Sequence, residues 1–106
     1  MINLLSSSTF SYPKEDGRQN EDAVFPPRRV GDGFLIALAD GVGSYAGASQ
    51  ASQAAIEVLS AIPVTSWGEG VSSGDIFAQI KKRVVELSML STTYSDAATT
   101  LTFVYV

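Results

Sequence analysis

Neither cysteine nor histidine occurs in this chain. Disulfides and thiolate metal sites are thereby excluded, imidazole chemistry goes with them, and any metal must be held by oxygen. That restricts the choice to hard cations such as magnesium, manganese or calcium. Positive charge is scarce too: 7 basic side chains stand against 11 acidic ones, for a net charge of −4 and a pI near 4.5. Such a balance provides no basic field to attract a nucleic-acid backbone. No apolar run approaches the roughly 18 residues that a membrane helix needs. The N-terminal stretch MINLLSSSTFSYP has a serine cluster but no basic n-region, and falls short of a signal peptide. The expectation is a soluble cytoplasmic protein with neither nucleic acid nor membrane as partner.

What is present suits one small layered core: 106 residues, 45% of them hydrophobic. Phe34-Leu35-Ile36-Ala37-Leu38-Ala39 is continuously apolar between Gly33 and Asp40-Gly41, and reads as a strand buried on both faces. Ala23-Val24-Phe25 is its candidate antiparallel partner. The segment from Pro26 to Gly33, with two prolines and an Asp-Gly, reads as the hairpin connection. Helical spacing follows from Ser44 to Ile62 through Ala48, Ala51, Ala55, Val58, Leu59 and Ile62, ended by Pro63. The stretch Pro63 to Gly74 reads as a loose connection, with Trp67 a lid over the core edge. A second helix spans about Asp75 to Leu90, with Phe77, Ile80, Val84, Leu87 and Leu90 on one stripe and a capping-box spacing from Ser72 to Asp75.

Ala98 to Val106 is rich in β-branched and aromatic residues and predicts a strand. Strands, then two helices, then a strand fit an α+β fold with helices on a mainly antiparallel sheet. The apolar ending leaves an edge that a complete domain would pair or cover, so residues 1–106 are expected to form the N-terminal portion of a larger domain.

The loop Leu38-Ala39-Asp40-Gly41-Val42-Gly43-Ser44 carries the candidate chemistry. Gly41, Gly43 and Gly47 form G-x-G-x-x-x-G, one residue too long for the dinucleotide fingerprint, and no G-x-x-x-x-G-K-[ST] occurs. Asp40 would also repel a phosphate unless a cation lay between them. A hairpin centred near Gly31 places Asp22 opposite Asp40, with Cβ atoms about 5 Å apart on one face. Opposed carboxylates call for a shared proton, a basic partner or a divalent ion. The nearest basic residue is Arg18, which makes a metal the stronger option. Glu21 would face the other way, either orienting the ligands or standing as a solvated charge. Asp40-Gly41 alone reads as a turn or helix N-cap before it reads as a ligand, and the Glu21-Asp22 pair brings the two readings level.

Asn20-Glu21-Asp22-Ala23, then Leu38-Ala39-Asp40-Gly41-Val42-Gly43, a small-residue helix with Gly47-Ala48-Ser49 near its start, and later Ala98-Thr99-Thr100-Leu101 together resemble the N-terminal motifs of the metal-dependent Ser/Thr protein phosphatases of the 2C (PPM) type. The resemblance spans about Gly17 to Val106. It implies a layered α/β/β/α sandwich in which antiparallel sheets carry two manganese or magnesium ions. Asp40 would bridge both ions, the main-chain oxygen of Gly41 would ligate one, Asp22 would bind through the ions' water shell, and Glu21 would support it. A metal-activated water would then attack the phosphorus of a phosphoserine or phosphothreonine in a phosphoprotein substrate, with no covalent phosphoenzyme.

The resemblance also marks departures. An arginine that grips the substrate phosphate commonly stands before the Glu-Asp pair. Arg18, three positions before Glu21, would take that role here, with Lys14 in reserve and a plain surface charge as the alternative reading. Val42 occupies the place where some members carry a proton-donating histidine. The family's later aspartate ligands have no counterpart: Asp75 reads as a helix start and Asp96 as loop. They would come from the C-terminal part of the same domain. The alternatives are a non-catalytic, truncated or degenerate phosphatase-like module that binds a partner, and a small nucleotide-binding domain resting on the glycine loop alone.

Overall fold

The apolar run of the sequence becomes the central strand of an antiparallel sheet. A computed structural model describes residue 11 and residues 20–43, 45–63, 67 and 72–106. Strand β1 (Asp22–Val30) pairs with β2 (Gly33–Val42), and α1 (Tyr45–Ala61) and α2 (Ser73–Leu90) follow. After a 3₁₀ turn (Thr92–Tyr94), β3 (Ala98–Thr99) and β4 (Thr102–Tyr105) return along the other edge of β2. The fold is α+β, as expected: an antiparallel sheet with two described helices packed on one face. Among the described residues no helix is long and apolar enough to cross a membrane.

The expected single strand from Ala98 is interrupted at Thr100 and Leu101, yet its parts keep one register. Gly41 pairs with Thr99 and Leu38 with Thr102, and Phe34 and Val106 exchange both main-chain bonds at 3.1 and 3.0 Å. The interruption has a local cause. The Asp40 N–H donates to the Thr100 hydroxyl at 3.3 Å, a side-chain acceptor where a regular ladder would use a carbonyl.

Strand β1 runs farther than expected. The two prolines lie inside it, and the tip of the hairpin is Gly31-Asp32, with Gly31 at a φ of +62°. Glycine at the first central position suits a two-residue hairpin turn. Gly33 serves packing instead: a Cβ there would stand 2.3 Å from the Val106 carbonyl oxygen and 2.7 Å from the Tyr105 ring. Pro26 and Pro27 form a bulge, because the register shifts between Phe25 and Arg28. Proline has no N–H for the ladder, so an extra residue is absorbed where it sits. The shift lets Phe25 and Val30, an odd number of positions apart, both turn into the core.

Strand β2 is not buried on both faces. Leu35, Ala37, Ala39 and Gly41 turn toward the helices, whereas Ile36, Leu38, Asp40 and Val42 lie on an exposed face. That face stays apolar, with Ile36 40%, Leu38 49% and Val104 51% exposed. An apolar run on a one-sided sheet mimics a strand covered twice, which is why periodicity misreads it.

Helix α1 is the central helix. Ala48, Ala51, Ala54, Ala55, Leu59 and Ile62 are buried, and so are Ser49 and Ser52. The Ser52 hydroxyl donates to the Ser49 carbonyl at 3.1 Å, and Gln53 Nε2 donates to Ser49 Oγ at 3.2 Å, so the buried hydroxyls are satisfied. In α2 the inward stripe is Ile76, Ile80 and Leu87. It is displaced from the expected one, with Phe77 and Leu90 exposed, though Phe77 still meets the Phe103 ring at 6.0 Å. The expected capping box is also absent. Ser72 is the N-cap without a side-chain bond, and its carbonyl accepts from Ile76 N at 3.1 Å. The lid role of Trp67 is met: it is 4% exposed, with Phe103 and Tyr105 rings at 6.1 and 5.1 Å.

One consequence concerns Gly74, in the first turn of α2. A Cβ there would meet nothing nearer than Ser72 Oγ at 3.5 Å. Gly74→Ala is therefore expected to raise stability by about 0.5–1 kcal/mol through the backbone freedom it removes from the unfolded chain. A urea titration reads the change as a higher midpoint at unaltered slope.

Candidate metal centre

The hairpin brings Asp22 directly opposite Asp40. Both carboxylates lie on the exposed face of the sheet, on adjacent strands, at the end where β2 leads into α1. The bulge decides this pairing. Counting back from the Gly31-Asp32 tip without it would set Ala23 against Asp40 and turn Asp22 to the other face. With the extra residue absorbed at Pro26-Pro27, Asp22 and Val24 share the face of Asp40 and Leu38, while Ala23 and Phe25 turn to the helix side, Phe25 into the core.

The main chain of Asp40 is held from the other side by the Thr99-Thr100 pair. Its carbonyl accepts from Thr100 N at 2.9 Å, from Thr99 Oγ1 at 3.2 Å and from Thr100 Oγ1 at 3.4 Å. Its carboxylate is thus carried on a peptide fixed at both N–H and C=O. These threonines lie about 60 positions away in the chain. They figure in the sequence only as part of a motif, and their hold on Asp40 becomes visible once the register of β2 with β3 and β4 is known.

Gly41 is buried, and its N–H donates to the Glu21 carbonyl at 3.0 Å. A Cβ at Gly41 would stand 2.0 Å from the Ala48 carbonyl oxygen and 2.5 Å from that of Glu21. The glycine therefore exists for close approach of α1 and of the chain entering β1. The small residues of α1 make the same approach possible. Gly43 has a φ of +117°, and a Cβ there would lie 2.4 Å from the Asp96 carbonyl oxygen. It turns the chain from β2 toward α1 against the loop that follows the 3₁₀ turn. Asp96 stands in that loop, as expected, and Asp75 in the first turn of α2. On the incoming side, the Asp22 N–H donates to Asn20 Oδ1 at 3.0 Å, which fixes the start of β1.

The donor set suits a hard divalent cation: two carboxylates side by side on an open, solvated face, in a chain without histidine or cysteine. Of the sequence-derived site residues, the fold brings together Asp22, Glu21, Asp40 and Gly41. Arg18 and its reserve Lys14 lie outside the described residues. Compared with protein-family models, with curated proteins and with solved structures, the chain matches none.

Proposed function

We propose that this chain carries the N-terminal part of a metal-dependent phosphatase site of the 2C type, acting on phosphoserine and phosphothreonine in cytoplasmic proteins. The observation that supports this reading best is the pairing of Asp22 with Asp40 on the exposed face. Like charges set opposite each other weaken a sheet, and a cation turns that cost into binding. Asp40, the Gly41 carbonyl and Asp22 would hold manganese or magnesium, with Glu21 supporting Asp22 and Arg18 orienting the substrate phosphate.

The bound ions would supply Lewis acidity to a water attacking phosphorus in line, so that the new P–O bond forms as the bond to the seryl or threonyl oxygen breaks. The leaving oxygen takes its proton from solvent, since Val42 carries none. The chain's own contribution is positional. The Thr99-Thr100 pair fixes the peptide of Asp40, and Gly41 seats that loop against α1.

Hydrolysis of p-nitrophenyl phosphate and of a phosphothreonyl peptide, with and without manganese, tests the proposal. Activity is expected to rise with manganese and to vanish on chelation. Hydrolysis indifferent to a chelator would overturn it.

A second reading, a non-catalytic phosphatase-like module, is favoured by the apolar exposed face around Ile36, Leu38 and Val104, a surface suited to a protein partner. The two readings separate on metal affinity. The module needs no manganese, whereas the phosphatase does.

A further inference from the structure

A cavity lies at the far end of the hairpin, between β1, the C-terminal turn of α1 and Trp67, with a volume of about 330 Å³. Core side chains, among them Phe25, Leu35, Leu59, Ile62 and Trp67, make up most of its lining, and Arg28, Arg29 and Ser60 complete it. Each of the core side chains is less than a tenth exposed. The apolar part of this open lining suits a hydrocarbon body.

The mouth of the cavity is not apolar. Arg28 pairs with Leu35 and so emerges on the helix side of the sheet, and its guanidinium lies 4.4 Å from the centroid of the Phe25 ring. The ring holds the cation in place at the rim. Among the described residues no carboxylate pairs with it; the ion pair described is Arg83 with Glu86 on α2. A guanidinium with no carboxylate partner among the described residues, on a chain of net charge −4, set beside the apolar part of the cavity, presents a fork of donors that matches a carboxylate.

We infer that this cavity binds a small amphipathic carboxylate, with its hydrocarbon body against Phe25, Leu59 and Trp67 and its head group on Arg28. The volume falls in the range of small-molecule sites, about 300–1,000 Å³. This site is independent of the Asp22–Asp40 pair and stands whether or not that pair binds metal.

Trp67 is the chain's single tryptophan, so its emission reports directly on the cavity. Titration with decanoate below its micelle concentration is expected to give a saturable spectral shift. Decanol, which has the same body without the charge, is expected to bind about tenfold more weakly, and Arg28→Gln to weaken decanoate by a similar factor. Arg83→Gln, on α2, is expected to leave the titration unchanged. Absence of a saturable response, or equal affinity for decanol and decanoate, overturns the inference. The decanoate and decanol comparison on the unaltered chain holds even where Arg28→Gln does not fold. Arg28→Gln that folds and keeps full decanoate affinity contradicts the role of the guanidinium.

Discussion

Replacing Gly41 by alanine is expected to remove about 3–5 kcal/mol of folding stability. The cause is steric and local. The added methyl would lie 2.0 Å from the Ala48 carbonyl oxygen and 2.5 Å from the Glu21 carbonyl oxygen, and both are main-chain atoms that no side-chain rotation can clear. Relief requires lifting α1 from β2, which opens the contact made by Ala48, Ala51 and Ala55, or breaking the Gly41 N–H bond to Glu21. A urea titration measures the loss. The contrast with Gly74→Ala, in open space, separates a packing effect from a general intolerance of substitution. A Gly41→Ala chain as stable as its parent would mean that α1 does not sit this close.

Asp40→Ala is expected to abolish manganese-dependent phosphatase activity and to weaken manganese binding by on the order of 100-fold or more, beyond the loss typical for a residue that only orients a ligand. The milder Asp40→Asn carries a second, opposite signature. It removes one of two like charges set across the β1–β2 ladder, so the metal-free chain is expected to gain about 0.5 kcal/mol of stability. The gain should shrink in high salt, as repulsion between exposed carboxylates is screened. A residue retained for structure alone would lose stability on substitution and leave metal affinity untouched. Thermal melts of both chains, with and without manganese, give the two readings together.

The Asp22–Asp40 pairing was legible in the sequence because a hairpin constrains which positions face each other. It was reached through two departures that cancel. The turn is centred between Gly31 and Asp32, half a position from the expected centre, and the bulge at Pro26-Pro27 supplies the compensating residue. A hydrophobic pattern does not reveal a bulge in advance, although paired prolines between strand-like residues are a signal for one. The open face of β2 leaves no mark in the sequence for a different reason. Ile36, Leu38 and Val42 are as apolar as the buried Leu35 and Ala37, so alternation leaves no trace in composition. The inward stripe of α2 runs through Ile76 in place of Phe77 because packing against α1, and not side-chain size, selects which apolar residue turns in. The hold of Thr99 and Thr100 on Asp40 depends on strand register across about 60 positions, which local spacing does not encode.

The proposed cation site at the end of the hairpin is tested most directly by isothermal titration of the chain with manganese. Saturable binding to the unaltered chain is expected, weakened by Asp22→Asn and more strongly by Asp40→Asn, with all three chains folded by circular dichroism. No binding to the folded unaltered chain, or binding that neither substitution weakens, would contradict the proposal.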